Sequence, residues 1–165
     1  MSKYLNFLDC TIRDGGYYNN WKFSEKFTNE YLKCISSTPI KFVEIGFRSS
    51  QNKLGKGNFW YTKNQFLKKI NIPENIKICL MTNLSDVLYK GKVHKKILKE
   101  IFPFNLKNKI YLIRIALHFE EIKHLKKLCS FLKKNNYNFA INLMQISRLD
   151  KKDLSKAAKA ISVMK

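Results

Sequence analysis

Apolar and polar residues alternate in several short stretches of the chain, and this pattern predicts five β-strands. The predicted strands are residues 5–12, 40–47, 76–81, 110–117 and 137–144. Apolar residues at helical spacing follow each of them, at residues 24–36, near 63–70, from Ser85 or Asp86 to Pro103, at 120–134, and from Asp150 onward. Strands that alternate with helices predict successive βαβ units and therefore a parallel sheet. Doubly wound sheets and (β/α)8 barrels both begin in this way, and the alternation alone favours neither.

Polar side chains recur on one face of the predicted strands. Side chains alternate between the two faces of a strand, and the uniformly apolar set is the one that helices would cover. The mixed set should face a barrel interior or a ligand crevice; it contains Asp9, Thr11, Arg13, Glu44, Gly46, Arg48, Arg114, His118 and Asn142. A buried charge costs several kcal/mol unless it is paired or bound to an ion. The pattern therefore indicates a site, and the alternative is a structural ion pair of Glu44 with Arg13 or Arg114.

The charge of the chain is strongly positive, with 32 Lys+Arg against 12 Asp+Glu and a formal net charge of +20. Such a charge attracts phosphates over a long range, so a basic, non-catalytic nucleic-acid-binding α/β module is one hypothesis. Only Arg13, Arg48, Arg114 and Arg148 are arginines, whereas base recognition favours the guanidinium group. The lysines lie at helical spacing away from the apolar stripes, which is typical of solvated helix faces. A nucleic-acid partner is therefore disfavoured.

The cysteines and the N-terminus predict a cytoplasmic protein. Cys10, Cys34, Cys79 and Cys129 lie far apart, without the spacing of a zinc or redox motif, so we expect reduced thiols. The sequence has no apolar run of about 18 residues and no signal-peptide pattern at its start. We therefore expect no membrane partner.

The segment LDCTIRDGGYYNNWKF, residues 8–23, closes the first predicted strand and carries the most specific chemistry. Arg13 and Asp14 stand side by side at the strand end, and Gly15 and Gly16 would let the backbone turn closely around a ligand. A carboxylate that binds a divalent ion, beside a guanidinium, is what stabilisation of an enolate oxyanion requires.

This segment resembles the start of the pyruvate-carboxyltransferase or HMG-CoA-lyase-like superfamily of TIM barrels, whose signature is D-x-T-L-R-D-G. Asp9, Thr11, Arg13, Asp14 and Gly15 match it, with Ile12 in place of Leu. FVEIGFRSS (42–50) is similar to the second strand of the 4-hydroxy-2-oxovalerate aldolase-like branch, and LIRIALHFEEI (112–122) to its fourth strand. The resemblance extends, with gaps, from about residue 5 to about 146.

The resemblance implies an α/β fold of parallel (β/α) units of a TIM barrel. A complete barrel takes about 250 residues, so 165 residues would hold about five of the eight units, as a single incomplete catalytic domain over residues 1–165. We expect such a chain to be an inactive portion. An open sheet leaves unpaired edges, so we also expect self-association into homo-oligomers.

The resemblance also implies roles for individual residues. Asp14 would bind Mn or Mg, and the catalytic residues would be Arg13, which would stabilise the enolate, and Tyr17. Tyr17 stands where the aldolase branch has its histidine base, so the identity of the base stays open; a phenol with a pKa near 10 can donate a hydrogen bond but is a poor base. The family's H-x-H ligand pair has no counterpart among His94, His118 and His124. His118 should contact substrate, whereas His94 and His124 are expected at the surface.

The implied function is that of a carbon–carbon lyase acting on a small 2-oxo acid. The residues expected to bind this substrate are Asp9, Thr11, Glu44, Arg114, His118 and Asn142. An acyl-thioester/2-oxo acid condensing synthase of the same superfamily is the alternative, because both reactions use the same Arg and Asp. SSQNKLGKGN (49–58) has no phosphate-binding motif and is predicted to be a loop over the site. Trp60 and Tyr61 are interpreted as packing residues.

Overall fold

The computed structural model describes residues 5–51, 53–103 and 109–164. Its strands are β1 (Leu8–Asp9), β2 (Phe42–Phe47), β3 (Lys77–Asn83), β4 (Leu88–Tyr89), β5 (Lys92–Val93), β6 (Leu112–Leu117) and β7 (Phe139–Leu143). Its α-helices are α1 (Thr11–Asn19), α2 (Glu25–Ser36), α3 (Asn58–Tyr61), α4 (Asn64–Leu67), α5 (Lys95–Ile101), α6 (Ile122–Lys134) and α7 (Lys151–Ser162). Short 3-10 turns precede β4, α6 and α7.

The main sheet has the strand order of the first part of a barrel. The order is β1-β2-β3-β6-β7, and every neighbouring pair is parallel. A doubly wound sheet reverses direction at a switch point, whereas each new strand of this sheet, within the described chain, is added on the same side. The sheet curls into a half-barrel flanked by helices. This confirms the predicted fold class of parallel (β/α) units of a TIM barrel.

The edges of the described sheet are β1 and β7. β1 is only two residues long and pairs with β2, while β7 pairs with β6 along its whole length. Unpaired edge strands expose backbone groups that can template pairing with another chain. Self-association through these edges remains a prediction.

The helices cover the apolar face of the sheet, as the alternation predicted for most positions. Val43, Ile45, Ile113 and Ile115 are all inaccessible to solvent. The buried side chains of α6 recur at helical spacing, at Ile122, Leu125, Leu128, Cys129 and Leu132. Two helix starts are confirmed at the side-chain level, since Ser24 accepts a hydrogen bond from the Phe27 N–H at 3.0 Å and Asp150 accepts one from the Asp153 N–H at 2.7 Å.

The first predicted strand, 5–12, is wrong beyond Asp9, because a helix begins at Thr11. The carboxylate of Asp9 accepts hydrogen bonds from both the backbone N–H and the hydroxyl of Thr11, each at 3.0 Å. Such local bonds compete with sheet pairing and favour a turn. The Asp14 N–H then donates to the Cys10 carbonyl at 2.8 Å, which is the first bond of α1. Arg13 and Asp14 therefore lie in the first turn of a helix.

Gly15 and Gly16 lie within α1 and do not form the predicted turn around a ligand. Gly16 is required by packing instead. A Cβ atom at this position would lie 2.2 Å from Cδ1 and Nε1 of the Trp21 indole. Because Trp21 is a fully buried residue of the core, the glycine allows the end of α1 to close onto it.

The predicted faces of β2 are wrong after Glu44, because the strand contains a bulge. Glu44 pairs with Cys79, but Gly46 pairs with Leu80, so the register shifts at Ile45. An extra residue reverses which side chains face inward. Phe47 consequently lies on the same face as Glu44, whereas Arg48 points into the helix layer, where it donates to the Ile101 carbonyl at 2.6 Å.

The helix predicted from Ser85 or Asp86 is wrong at its start. Residues 84–87 form a 3-10 turn, and β4 and β5 then pair as an antiparallel hairpin before α5 begins. Lys90 and Gly91 both have positive φ, of 49° and 70°. Positive φ at both central residues is typical of the tight turn that matches the twist of two strands.

Among the described residues, none of the helices combines the length and apolar character needed to cross a membrane.

Candidate active site

A buried carboxylate, Glu44, stands at the centre of the polar face of the sheet. Its side chain is inaccessible to solvent. It accepts a hydrogen bond from Arg13 Nε at 2.7 Å, and Arg114 Nη1 donates to both of its oxygens at 3.0 and 3.1 Å. The two guanidinium groups thus share one carboxylate, which offsets one of their two formal positive charges. We call Arg13, Glu44 and Arg114 the ion cluster.

Arg13 is held from several sides. Its Nη1 donates to Asp14 Oδ1, and its guanidinium lies 5.9 Å from the centre of the Phe47 ring. Its backbone carbonyl accepts from Trp21 Nε1 at 3.0 Å. Burial lowers the pKa of the guanidinium, but the hydrogen bond and the charge of Glu44 outweigh this, and the pKa is raised overall. Arg13 is therefore a fixed cation, and the two carboxylates use only part of its N–H groups.

Arg114 reaches Glu44 across an intervening strand. Glu44 lies on β2 and Arg114 on β6, with β3 between them. Cys79 of β3 is the residue paired with Glu44, and a thiol is small enough for the guanidinium to extend over it. Arg114 Nη2 also donates to Asn142 Oδ1 of β7 at 3.2 Å. The ion cluster and Asn142 thus connect α1 with three strands of the sheet.

Two thiols complete the surroundings of Glu44. The Cys10 thiol lies 3.6 Å from Glu44 Oε1 and 3.7 Å from Arg114 Nη1. Burial, followed by the charge of Glu44, raises the pKa of Cys10, and burial raises the pKa of Cys79 to about 12. Both groups are therefore neutral thiols at pH 7 and add no charge to the ion cluster.

Asp9 and Thr11 do not join this cluster. The Asp9 carboxylate accepts the bonds from Thr11 and a further one from the phenol of Tyr31 on α2. Burial and the bond to Asp9 raise the pKa of Tyr31, which remains a donor at all ordinary pH values. The structure therefore places both residues in a junction between β1, α1 and α2.

Asp14 and Tyr17 lie on the solvent-facing side of α1. Asp14 has 57% of its side chain exposed, and Tyr17 follows one turn later with 64% exposure. The Tyr17 ring packs on Trp21, with centroids 4.7 Å apart. Asp14 is the accessible carboxylate next to the ion cluster. Within the described residues there is no group of three or more His, Cys, Asp or Glu side chains that could hold a metal ion.

The predicted loop 49–58, of which Asn52 lies outside the described residues, packs on the end of α1. The Gly57 N–H donates to the Asn20 carbonyl at 2.8 Å, and Lys56 Nζ to Asn20 Oδ1 at 2.9 Å. The same ammonium lies 4.6 Å from the Trp21 ring centre and 5.5 Å from that of Trp60. These contacts fix the loop to Asn20 at the end of α1 and to the rings of Trp21 and Trp60.

The histidines lie apart from one another along the described chain. His118 directly follows β6 on the same face as Arg114, and its backbone N–H donates to Glu121 Oε2 at 2.8 Å. His94 precedes α5, where its ring packs on Tyr89, and His124 lies on α6. Trp60 belongs to the buried core, and Tyr61 packs beside it.

Sequence reasoning missed Cys10 and Phe47 as members of the site. Strand alternation through residue 12 predicts that Cys10 lies on the helix-covered face, but a helix begins at Thr11. Alternation without a bulge predicts the same for Phe47, but the register shifts at Ile45. Gly46 carried the available signal, since an isolated glycine in a strand often marks a bulge or a close backbone approach. A Cβ at Gly46 would lie 2.1 Å from the Phe59 carbonyl oxygen.

The fold and the site together define a class: a parallel (β/α) half-barrel with paired charges on the polar face of its strands. Barrel enzymes carry their active sites at the C-terminal ends of such strands, and Arg13 follows the C-terminal end of β1. A solved structure of similar fold is described as the "N-terminal domain of a putative aldolase from Bacteroides vulgatus". The two share 31% sequence identity with a TM-score of 0.80, over 97% of this chain and 52% of that one. The chain thus spans about half the length of that protein. No family model matches the chain, and the comparison with curated proteins finds no match.

Proposed function

We propose that this chain is part of the catalytic barrel of an aldolase-like lyase that cleaves or forms a carbon–carbon bond through a pyruvate-like enolate. The observation that supports this most directly is the Arg13 guanidinium, which Glu44 and Asp14 hold in one orientation. The similarity to the N-terminal domain of an aldolase candidate supports the same reading through the fold.

Arg13 is suited to stabilise a developing enolate oxygen. A positioned N–H donor that needs no rearrangement during the reaction contributes a large share of transition-state stabilisation. The side chain of Arg13 is only 13% exposed, so its charge acts in a region of reduced dielectric constant. We assign the remaining N–H groups of Arg13 to the enolate oxyanion.

Arg114 and Asn142 are suited to bind the carboxylate of a 2-oxo acid. Arg114 is 20% exposed and already donates to Asn142, and guanidinium–carboxylate contacts are strong and directional. Glu44 is fully buried between the two arginines, so we assign it a positioning role. The unused N–H donors of the two guanidinium groups, rather than a net charge, would bind an anionic substrate, because the Asp14 carboxylate offsets the remaining positive charge of the ion cluster. His118 and Tyr17 are proposed at the rim of the same substrate site.

The divalent metal expected for this chemistry does not fit the described residues by themselves. Beside the ion cluster they offer one accessible carboxylate, Asp14, which is engaged with Arg13, and nowhere a three-ligand group. One carboxylate makes a loose site for Mn or Mg. We therefore propose Asp14 as one ligand of the metal. The roles proposed for Arg13, Arg114 and Glu44 do not depend on the metal.

Binding of oxalate, a planar analogue of the pyruvate enolate, tests the proposed anion site by calorimetry. Lysine keeps the charge of Arg13 but loses the planar array of donors, so Arg13→Lys should weaken binding about 10-fold or more. Arg148→Lys, an exposed arginine near α7, is the matched control and should leave it unchanged. Equal affinity of all three proteins, or absence of oxalate binding by the parent, contradicts the proposal.

Turnover tests the reaction itself. Release of pyruvate from 4-hydroxy-2-oxo acids with Mn or Mg supports the lyase, and condensation of an acyl thioester with a 2-oxo acid would instead support the synthase. If the parent chain turns over substrate, Arg13→Lys should lower the rate by about 10²–10³. A lysine variant with the parental rate would show that Arg13 is structural.

A further inference from the structure

A groove lies between α5 and α6 on the convex side of the half-barrel, away from the ion cluster. Its volume is about 580 Å³. We call it the lysine-rimmed groove; it is lined by Val93, Lys95, Leu98, Lys126, Lys127, Ser130, Phe131 and Lys134. Nothing in the proposed function uses it.

Further barrel units would not fill this groove. α5 connects β3 to β6, and α6 connects β6 to β7. β3 and β6 each have a strand neighbour on both sides, so strands and helices added beside β1 or β7 would not lie between these two helices. A ligand of the groove would therefore not be a further barrel unit.

The floor of the groove is apolar and incompletely covered. Leu98 belongs to the buried core, whereas Val93 and Phe131 are only partly buried against it. Ser130 is small and exposed, and it lies one residue before Phe131, which leaves room above the floor. An accessible apolar floor of this kind favours an apolar ligand surface.

The rim of the groove is cationic on both sides. Lys95 lies on α5, and Lys126, Lys127 and Lys134 lie on α6. Within the described chain, none of these four ammonium groups is in an ion pair. Their charges are thus available to carboxylates of a partner that fills the floor.

We infer that the lysine-rimmed groove binds an acidic amphipathic helix of a partner protein. Lys127, Ser130, Phe131 and Lys134 fall at i, i+3, i+4 and i+7 on α6, which is one continuous stripe about 10 Å long. A partner helix of about two to three turns matches this length. Its apolar residues at i, i+3, i+4 and i+7 contact the floor, and glutamates or aspartates on both flanks meet the lysines.

The combination of floor and rim distinguishes this partner from other polyanions. A nucleic-acid duplex presents phosphates that would satisfy the lysines, but it has no apolar stripe to cover Phe131 and Val93. An anionic bilayer is a broad surface, whereas the floor of this groove lies between two helices. Both are therefore competitors that the experiment must separate.

Fluorescence anisotropy of a labelled 14-residue peptide tests the inference with the full chain at physiological salt. The peptide carries leucines at i, i+3, i+4 and i+7 and glutamates on the flanking positions. Three competitors are tested beside it: a scrambled peptide of the same composition, a DNA duplex with the same number of negative charges, and phosphatidylserine vesicles. The amphipathic peptide should bind, and the other three should bind at least about 10-fold more weakly.

Three variants locate the binding surface. Ser130→Trp fills the groove without changing charge, and Lys127→Glu/Lys134→Glu reverses the rim; each should weaken peptide binding about 10-fold or more. Lys151→Glu/Lys152→Glu on α7 makes the same charge change outside the groove and should preserve binding. Circular dichroism verifies that each variant is folded. Equal binding of the scrambled peptide, DNA or vesicles, or undiminished binding by folded Ser130→Trp, would overturn the inference.

Discussion

The structure contains two very different environments for buried arginines. Arg13 and Arg114 share the carboxylate of Glu44 on the polar face of the sheet. Arg48 lies in the helix layer, where its guanidinium donates to the carbonyls of Ile101 and Thr62 and to Asn64 Oδ1. Among the described residues, no carboxylate forms an ion pair with Arg48.

This difference separates an arginine suited to bind ligands from one that ties elements together. Arg48 is only 5% exposed, and burial lowers its pKa to about 10, so it is still charged at pH 7. Its donors are directed to backbone and amide oxygens of the protein itself. Arg13 has the opposite shift, to a higher pKa, because Glu44 compensates its burial. The candidate site is therefore marked by arginines whose charge a carboxylate compensates and whose remaining N–H groups are not used by the protein.

Glu44→Gln should have the largest effect, because it leaves two guanidinium groups close together without their common carboxylate. Removing one partner of a buried ion pair costs about 3–5 kcal/mol in the free energy of unfolding. Urea denaturation measures this loss. Glu25→Gln is the control, since Glu25 forms an exposed pair with Lys69 at 3.5 Å and should cost under about 1 kcal/mol. A similar small loss for Glu44→Gln would contradict the central role of the buried carboxylate.

Arg48→Met should cost somewhat less, about 2–3 kcal/mol in the free energy of unfolding. The methionine fills much of the same volume, but the carbonyls of Thr62 and Ile101 lose their donor while they stay buried. Oxalate binding should be unchanged, because Arg48 points away from the ion cluster. Arg148→Met, at an exposed arginine, is the matched control. A loss of oxalate affinity without a loss of stability would contradict the assignment of Arg48 to a structural environment rather than to the ligand site.

The two environments also show what the sequence could predict. The five strands of the main sheet, and the helices α2, α4, α5, α6 and α7, followed from hydrophobic periodicity, because burial of one face imposes that spacing. Alternation likewise placed Glu44, Arg114 and Asn142 on one face, and the register of β2, β3, β6 and β7 agrees. In a strand with regular backbone, successive side chains point to opposite faces, so the pattern predicts the face of each residue correctly.

Alternation failed where the backbone is irregular. It placed Arg48 on the face of Glu44, but the bulge at Ile45 reverses the faces of the following residues. It also extended the first strand through Cys10 and Thr11, where the local bonds of Asp9 start a helix instead. These local interactions depend on side-chain geometry that a hydrophobic pattern does not contain. The roles proposed for the site residues stay predictions.

Asp86 offers a smaller test of the same contrast, as a buried carboxyl whose hydrogen-bond donors, Ser49 and Asn83, are neutral. Burial raises its pKa above the ordinary value, while hydrogen bonds from Ser49 and Asn83 act to lower it. A raised pKa in the folded state means that the carboxylate destabilises the fold above that pKa. Asp86→Asn should therefore stabilise the protein at pH 7, and the gain should disappear as the pH falls towards about 4. Thermal unfolding across this range measures it, and a destabilised variant at pH 7 would contradict the assignment.

Asp14→Asn should have the smallest effect on folding, because Asp14 is exposed. Loss of its ion pair with Arg13 leaves the hydrogen bond from Arg13 to Glu44 intact. Its effect should appear in metal binding. A single carboxylate with water as the remaining ligands binds Mn weakly, so calorimetry of the parent chain should give a dissociation constant above about 1 µM, and Asp14→Asn should remove that binding. Asp153→Asn on α7 is the control, since Asp153 is also paired with a neighbouring cation, Lys156 at 2.8 Å. Sub-micromolar affinity that survives Asp14→Asn would place the metal elsewhere and leave the ion cluster without a metal ligand.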